Sequence, residues 1–497
     1  MGGGLLQLVA YGAQDVYLTG NPQITFFKVV YRRHTNFALE SIQQTFNGNV
    51  NYGQRVTCTI SRNGDLINRA YLQVNSNVTN LVPYFGLRLI NYAEIEIGGQ
   101  KIDKHYSEWM YIWNELSMPI GKKEGYFSMV GGAGSTPLVA VGGVESVTKA
   151  TVGTNNTDGT WQLTFTATGG ETILDAATGT ATIVGGVVVS VNITNSGSGY
   201  TNVPTVTIAA QATPSGGTAP TLTAVLTTTA VAAVPLSTVY VPLEFWFCRN
   251  VGLALPLIGL QYHEVKVNIQ FETLAKLSKT TPETNATLDA TLWIDYIYLD
   301  TDERRKFAQS SHEYLIEQLQ FIGKEGAGSK MKLNFNHPVK ELVWVVNDNS
   351  STNANWFNFT KGADHLIKDN VKASYSSLSN WVGPSGTGVN PVETGKLILN
   401  GNDRFSQRDG NYFNLVQPFQ HHENVPNNKG INVYSFALKP EEHQPSGTLN
   451  MSRIDTATLD LSYLSGVNQD SHSISIYGVN YNVLRILSGM GGIAYSN

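Results

Sequence analysis

The sequence is poor in cysteine and has no cluster of positive charge. Its 497 residues include only two cysteines, Cys58 and Cys248, which are too few for a disulfide framework and fit a reducing compartment. The net charge is -5 and no basic tail is present, whereas a protein that wraps nucleic acid needs clustered lysine and arginine to replace counterions. We therefore expect no direct binding of nucleic acid.

Long apolar runs and catalytic motifs are also missing. No stretch reaches the roughly 18 apolar residues of a membrane span, and Met1 to Ala10 lacks the basic region of a signal peptide. The sequence contains neither the phosphate-binding pattern GxxxxGKS/T nor the nucleophile elbow GxSxG. We expect no signal peptide, no membrane span, no catalytic residue and no cofactor.

One histidine pair raises the question of a metal site, since some jelly-roll proteins bind metals. His421 and His422 are adjacent in the sequence, so in an extended chain they point to opposite sides. A transition-metal site needs several converging ligands. We interpret the pair as part of a solvated loop or of a subunit contact, and we expect no metal.

Alternation of apolar and polar residues dominates the rest of the chain. Val265 to Phe271 alternates in this way, so that one face of the segment can be buried. Gly98-Gly99 and Asn400-Gly401 supply the positive φ angles that tight hairpin turns need. These signals predict an all-β architecture of sandwiches, and the length of the chain favours two domains.

Helical spacing is found in two places. From Ser107 to Met118 the apolar residues recur at helical intervals, with Ser107 as a candidate N-cap. A second helix is predicted over Asp302 to Leu319, because its acidic first turn suits the positive end of a helix and because Leu315 and Leu319 could pack on one face of it. We place this second helix as the linker between two sandwiches.

A long segment stands apart by its composition. From Ala150 to Cys248 there is no lysine or arginine, and Thr, Val, Gly and Ala dominate. Runs of β-branched residues on both sides of Gly185-Gly186, together with Trp161 and Tyr200, favour a folded β insert. The alternative is a disordered low-complexity loop, which such a density of β-branched and aromatic residues disfavours.

Two Asn-X-Ser/Thr sequons lie inside this segment, at Asn155 and Asn192. They are the candidates for exposed glycan attachment if the chain meets a glycosylating machinery. In a chain rich in Asn and Thr, coincidence is the alternative explanation.

The two halves of the chain repeat one order of signals, which indicates an internal duplication. Glu94–Asp103 and Lys396–Asp403 are both apolar strands that lead into a glycine-containing hairpin turn. A Tyr-Phe pair follows in each half, at Tyr126-Phe127 and at Tyr412-Phe413. We predict two similar sandwiches in tandem, with the insert as a surface decoration of the first, because buried extra backbone would leave amides unpaired.

Several runs of sequence carry a family resemblance. They are Gly4–Asp15, Leu18–Phe27, Tyr31–Phe37, Phe245–Asn250, Leu253–Ile258, Leu299–Ala308 and Ile431–Asp455. Through these runs the chain resembles the major capsid proteins of the nucleocytoplasmic large DNA viruses, the group of phycodnaviruses, iridoviruses, mimiviruses and marseilleviruses. The resemblance covers nearly the whole chain outside the insert, and its last run is the most specific.

The resemblance implies a fold and a function. The fold is two tandem eight-stranded jelly-roll β-sandwiches with a large β-rich loop insertion in the first. The implied domains are an N-terminal arm (1–30), a first jelly roll (31–300) interrupted by a surface insertion (131–237), a linker (301–315) and a second jelly roll (316–497). The implied function is that of a structural major capsid protein, whose homotrimer forms a pseudo-hexagonal capsomer of an icosahedral shell.

Partners and location follow from the same resemblance. We expect contacts with neighbouring capsomers and with minor capsid and penton proteins, in a virion assembled in the host cytoplasm. The arm, Met1 to Tyr31, is expected beneath the capsomer, where the inner viral membrane is a further candidate partner. A carbohydrate-binding sandwich whose insertion engages a host surface is the alternative function.

Four aromatic residues that are expected in loops are candidates for trimer contacts, because buried aromatic rings dominate interface energetics. They are Trp356, Phe357, Phe359 and Trp381. Packing inside a domain is the alternative.

Overall fold

Strands make up most of the regular structure in the computed structural model. Described in it are residues 12–13, 35–78, 81–132, 143–168, 176–197, 200, 202–208, 217–226, 238–278, 282–349, 356–361 and 388–496. Apart from positions 12 and 13, the predicted N-terminal arm lies outside the described residues. Within these ranges no helix is long and apolar enough to cross a bilayer.

The elements follow one another in two similar series. The strands of the first series are β1 (Phe37–Gln44), β2 (Arg55–Thr59), β3 (Leu66–Ser76), β4 (Ile90–Ile97), β5 (Gln100–Tyr106), β6 (Val144–Thr151), β7 (Gly159–Thr166), β8 (Thr178–Val184), β9 (Val187–Asn195), β10 (Thr205–Ile208), β11 (Thr221–Leu226), β12 (Val239–Leu243), β13 (Leu255–Pro256), β14 (Val265–Phe271) and β15 (Leu288–Leu299). Those of the second series are β16 (His312–Gly326), β17 (Lys330–Lys332), β18 (Pro338–Asp348), β19 (Val392–Leu399), β20 (Asn402–Asp403), β21 (Arg408–Asp409), β22 (Asn432–Ser435), β23 (Leu449–Asn450), β24 (Ala457–Tyr463), β25 (His472–Leu487) and β26 (Met490–Ile493).

Short helices connect these strands. The α-helices are α1 (Phe85–Leu89), α2 (Ser107–Ser117), α3 (Ile120–Met129), α4 (Trp246–Arg249), α5 (Leu274–Leu277), α6 (Thr301–Gln309) and α7 (Gln417–His421), and a π-helical turn, Tyr412–Val416, runs directly into α7. Single 3-10 turns lie at Val251–Leu253, Leu257–Gly259 and Met451–Arg453.

The first sandwich has the strand order of a jelly roll. Its eight principal strands are β1 to β5, β12, β14 and β15. One sheet has the order β1-β15-β3-β12, which is 1-8-3-6 when the eight strands are counted along the chain, and the other has the order β2-β14-β4-β5, which is 2-7-4-5. All pairs are antiparallel, and Leu72 faces Leu292 across the centre of the 1-8-3-6 sheet. Apolar residues at alternate positions fill the space between the two sheets.

The second sandwich repeats this order strand for strand. Its principal strands are β16 to β20, β22, β24 and β25, and they form the sheets β16-β25-β18-β22 (1-8-3-6) and β17-β24-β19-β20 (2-7-4-5). The tandem duplication and the double jelly roll predicted from the sequence are therefore confirmed. The predicted hairpin turns are confirmed too, since Gly98, Gly99, Asn400 and Gly401 have φ angles of 58°, 85°, 47° and 80°.

The helix predicted from Ser107 to Met118 is confirmed, but the predicted N-cap residue is not. Helix α2 starts at Ser107, as predicted, but the N-cap position is Tyr106 and no side chain caps it. The Ser107 hydroxyl instead donates to the carbonyl oxygen of Leu87 at 2.9 Å. This bond ties α2 to α1, the short helix that contains Leu87, rather than to its own first turn.

The second helix prediction is wrong beyond its first half. Helix α6 ends at Gln309, and the strand β16 begins at His312. Leu315 and Leu319, which were expected on one face of a helix, instead pair with Val483 and Val479 of β25. Pairing along a long neighbouring strand outweighs helical spacing, because intrinsic propensity is a weak preference that tertiary context overrides.

The insertion is folded and has a core of its own. Its six strands pair in the order β6-β11-β10-β7-β8-β9, and its buried apolar cluster, which includes Leu163, Ala181 and Tyr200, is separate from the sandwich cores. Gly185 and Gly186 form the predicted β8–β9 turn with φ angles of 63° and 76°. The prediction of a folded β insert is thus confirmed, against the alternative of a disordered loop.

The two ends of the insertion leave the first sandwich side by side. Gly86, in α1, lies against both ends. A methyl group added to it would be 3.0 Å from the carbonyl oxygen of Val130, which precedes the insertion, and 2.7 Å from the Cγ1 atom of Val239, which follows it. Because the departing and returning chains meet at one point, the insertion can be removed without stretching the sandwich.

We predict that replacing residues 133–237 by a short Gly-Ser linker leaves the double sandwich folded. The thermal unfolding midpoint, followed by circular dichroism, should stay within a few degrees of the full-length value, because the deleted core is independent of the remaining one. Loss of a cooperative transition in the shortened chain would contradict the independence of the insertion.

Candidate functional site at the junction of the two sandwiches

The 1-8-3-6 sheet of the second sandwich is buried on both faces. Neighbouring residues of a strand point to opposite faces. Trp344 and Ile476 belong to the core of the second sandwich, whereas Val343, Val345 and Tyr477 join the apolar cluster of the first. The two sandwiches therefore share an apolar contact that is continuous with the core of the first.

Helix α2 of the first sandwich lies against this sheet. The ring of Trp109 is fully buried, with its centroid 5.4 Å from that of Tyr477. Glu108, also buried, accepts a hydrogen bond of 3.0 Å from the Tyr477 hydroxyl and pairs with Lys324 Nζ at 2.7 Å. Burial, and then the charge of Glu108, raises the pKa of Tyr477 well above its usual value, so this hydroxyl stays protonated and donates.

A buried carboxylate joins one cation from each sandwich. Glu317, on β16, lies 2.9 Å from the guanidinium of Arg249 in the first sandwich and 2.8 Å from Nζ of Lys340 in the second. The Lys340 side chain has no exposed surface. Arg249 also stacks over the ring of Trp113 at 4.1 Å. An unpaired charge at this depth would be strongly unfavourable, so the three groups depend on one another.

The histidine pair of the sequence contributes to a second buried charge group. His422 lies between Glu341, with Nε2 to Oε2 at 3.1 Å, and Glu441, with Nδ1 to Oε1 at 2.7 Å. Burial opposes the charged imidazolium, but the two carboxylates prevail and raise the pKa of His422 to about 9. The same ion pair lowers the pKa of Glu341 although burial opposes it. His422 is thus a cation at neutral pH.

The interpretation of this pair from the sequence was wrong for His422. The side chain is an internal ion-pair partner and not part of a solvated loop or subunit contact. His421 points elsewhere, as expected for neighbours in the chain, and its Nδ1 lies 3.0 Å from the carbonyl oxygen of Leu438. The sequence carried no signal for the carboxylate partners, because Glu341 lies 81 positions away in number and meets His422 only through the fold.

These groups are suited to holding surfaces together rather than to chemistry. Burial raises the pKa of the Cys58 thiol to about 11 and also raises that of Cys248, so neither forms a thiolate near neutral pH. Over the described ranges, no group of three or more His, Cys, Asp or Glu side chains is arranged to hold a metal ion. The arrangement at the junction supports a structural role.

Most of the aromatic residues proposed for trimer contacts serve inside the chain. Phe357 and Phe359 are fully buried in the cluster of the first sandwich, and Phe357 stacks on Tyr111 with centroids 4.5 Å apart. Trp356 lies beside them, 4.7 Å from the guanidinium of Arg88. The trimer prediction is therefore wrong for the two phenylalanines, while Trp381 lies outside the described residues.

The two sequon asparagines lie on the insertion. Asn155 and Asn192 are both exposed, so each side chain is accessible to an enzyme. Asn155 has a φ angle of 53°, a conformation that Asn adopts more readily than most residues. Attachment of a glycan at either position stays a prediction.

Comparisons with known proteins agree with this geometry. Residues 25–165 and 205–300 match the family described as major capsid protein N-terminus, and residues 303–492 match the family described as large eukaryotic DNA virus major capsid protein. The major capsid protein of Pyramimonas orientalis virus is 46% identical to this chain over the whole of both sequences. The break in the first match falls within the insertion.

Two solved structures resemble the whole fold. PBCV-1 VP54, in a crystal structure fitted into a reconstruction of the virophage Sputnik, has 33% identity and a TM-score of 0.65, over 95% of this chain and 100% of that one. A quasi-atomic model of the PBCV-1 virus capsid gives 32% identity and a TM-score of 0.64 over the same shares. The fold is thus that of double jelly-roll capsid proteins. The chain belongs to the family of major capsid proteins of large eukaryotic DNA viruses and is a structural protein of the viral capsid.

We predict that Lys340→Met lowers the free energy of unfolding by about 3–5 kcal/mol, because it removes one partner from a buried ion group. Urea denaturation followed by tryptophan fluorescence measures the change. Lys439→Met is the matched control, since Lys439 forms an exposed pair with Glu442 and its loss should leave the free energy of unfolding nearly unchanged. Equal losses in the two variants would contradict a stabilising role for the buried group.

We predict that the contribution of His422 to stability disappears as the pH rises. Below about pH 6.5 this histidine is charged in both the folded and the unfolded chain, and its contribution is complete. Between that value and the folded pKa of about 9, the unfolded chain loses the proton that the folded chain keeps, so stability falls. The free energy of unfolding should fall with pH more steeply for the natural chain than for His422→Gln, whereas His421→Gln should follow the natural chain. Parallel curves for the natural chain and His422→Gln would disprove the assignment.

Proposed function

We propose that three copies of the chain form a pseudo-hexagonal capsomer, which tiles the icosahedral shell of a large double-stranded DNA virus. The observation that carries this proposal is the repeated strand order, 1-8-3-6 and 2-7-4-5, in both halves. A cyclic trimer of such a chain places six similar sandwiches around one axis. The shared apolar junction fixes each pair of sandwiches as one building block.

The surroundings of the capsomer are part of the same proposal. Neighbouring capsomers, minor capsid proteins and penton proteins are the proposed partners, with the inner membrane beneath the shell as a further one. The division of the chain into arm, first jelly roll with insertion, linker and second jelly roll, as predicted from the sequence, belongs to this proposal, as does assembly in the host cytoplasm. The role is structural and not catalytic.

The insertion is proposed to face outward from the shell. Its separate core and its adjacent points of departure and return support this, since extra modules are tolerated on exposed connections. Asn155 and Asn192 are the residues proposed to carry glycans there if the chain is glycosylated.

We predict that the purified protein has three times the 54.1 kDa mass of the chain in multi-angle light scattering, without dependence on concentration in the micromolar range. Negative-stain images should show particles with six similar lobes. A monomer at all concentrations would contradict the capsomer proposal and favour a binding module.

A further inference from the structure

A cavity lies between the two sandwiches, at the end of the first sandwich from which the insertion departs. Its volume is about 310 Å³. Two residues that line it, Asn91 at the start of β4 and Tyr106 at the end of β5, are close together because Tyr92 pairs with Tyr106. Arg88 lines it from α1, the helix whose Gly86 lies against both ends of the insertion. The cavity and the insertion therefore share one end of the first sandwich.

Three cations surround the indole ring of Trp356 in this cavity. The guanidinium carbon of Arg88 lies 4.7 Å from the centroid of the ring, Nζ of Lys324 lies 5.2 Å from it, and Nζ of Lys276 lies 5.7 Å from it. Arg88 is buried, whereas the two lysine side chains are about half exposed. One fixed cation and two mobile ones thus converge on the same space.

The two carboxylates of the cavity do not balance these cations. Glu272 pairs with one of the lysines at 3.3 Å and Glu108 with the other at 2.7 Å. Each carboxylate also has a neutral donor, since Asn91 Nδ2 lies 2.8 Å from Glu272 and the Tyr477 hydroxyl lies 3.0 Å from Glu108. The lining residues that the structure describes carry three positive charges and two negative ones, an excess of one positive charge.

This excess is unfavourable at its present depth. Burial lowers the pKa of Arg88 to about 9, although the charge of Glu272 opposes the change. Arg88 donates a hydrogen bond of 2.8 Å to the carbonyl oxygen of Lys276, which is a neutral acceptor. An anion placed between the three cations would remove the excess charge, and carboxylates form the strongest hydrogen bonds with guanidinium and ammonium groups. The cavity is therefore suited to an anionic ligand.

Aromatic rings form the remaining wall of the cavity. The rings of Tyr106 and Phe321 have centroids 4.5 Å apart, and Phe321 stacks on Tyr477 at 4.9 Å. Tyr477 lies on the outer face of the second 1-8-3-6 sheet, which is the face turned away from that sandwich's own core. Tyr106, Phe321 and Trp356 are only partly buried, so they offer apolar surface next to the cations. Small-molecule sites commonly combine an apolar wall with a few polar groups in this way.

We propose that this cavity binds one residue of an acidic sugar. Its carboxylate would lie between Arg88, Lys276 and Lys324, and the apolar C–H face of its ring would pack on the aromatic wall. The volume suits a single sugar ring, since small-molecule sites begin at roughly 300 Å³. The inference goes beyond the proposed function, and only the placement of the cavity on the outside of the shell rests on that function.

Titration with glucuronate, followed by saturation-transfer NMR and calorimetry, tests the binding. Glucuronate should receive magnetisation through its ring protons and should bind at least about 10-fold more tightly than glucose, which lacks the carboxylate. Equal affinity for the two sugars would overturn the proposal. Acetate that binds as tightly as glucuronate would show an anion site with no place for the ring, and N-acetylglutamate that binds more tightly would indicate an acidic protein side chain. Either result would also overturn the proposal.

Variants without the mobile charges locate the site. Lys276→Gln and Lys324→Gln should each weaken glucuronate binding about 10-fold, because each removes one charge-assisted contact. Lys266→Gln is the matched control, since Lys266 also pairs with one carboxylate, Glu264 at 3.2 Å, but lies at the opposite end of β14. It should bind glucuronate like the natural chain, and thermal unfolding should show that all three variants are folded. Unchanged affinity in either cavity variant would contradict the placement of the carboxylate.

The sugar can belong to a host surface or to a glycan of the capsid itself, and two preparations distinguish these sources. Protein made in bacteria and protein from virions should both bind a surface coated with alginate, a polymer of acidic sugars, if the cavity is free for a host polysaccharide. Binding by the bacterial protein alone would show that a glycan of the capsid occupies the cavity in the virion. A trimeric chain that does not bind glucuronate refutes only this inference, whereas a monomeric chain that binds it refutes only the capsomer.

Discussion

The structure depends on the burial of one β-sheet from both sides. Strands β18 and β25 have the second sandwich's core on one face and the first sandwich on the other, which is why Val343 to Val346 is an uninterrupted apolar run. A strand that faces water on one side alternates, as β14 does in its sequence, whereas a strand covered on both sides can be apolar on both faces. Separating the two sandwiches would expose one whole face of this sheet to water. At roughly 25 cal/mol for each Å² of apolar surface, that exposure is unfavourable enough to make the pair of sandwiches one unit.

Apolar burial alone does not determine how the two sandwiches are oriented. Hydrophobic attraction is non-directional, whereas the contacts of Glu108 with Tyr477 and of Glu317 with Arg249 and Lys340 have defined geometry. A shift of the sandwiches by a few ångströms would leave these charges buried without partners, which is far more unfavourable than the loss of a few apolar contacts. The polar groups at the junction thus select one arrangement among many that bury similar area. Their value lies in specificity as much as in stability.

The sequence predicted what local chemistry determines. Gly98-Gly99 and Asn400-Gly401 predicted their hairpins because positive φ angles have few other uses, and the repeated order of such signals predicted the duplication. Contacts between distant residues could not be predicted in this way. Leu315 and Leu319 have helical spacing but lie on a strand, since β25, far along the chain, provides the pairing. The position of His422 is decided by carboxylates that no local pattern links to it.

The duplication produces two sandwiches with equal strand order and unequal surroundings. The outer face of the second 1-8-3-6 sheet is covered within the chain, and it carries Val345 and Tyr477, which pack in the apolar cluster of the first sandwich. The outer face of the first sandwich keeps polar residues such as Gln73 and Asp295 beside the stacked rings of Tyr71 and Trp293, so its strands retain the alternation of a sheet that the rest of the described chain leaves uncovered on one side.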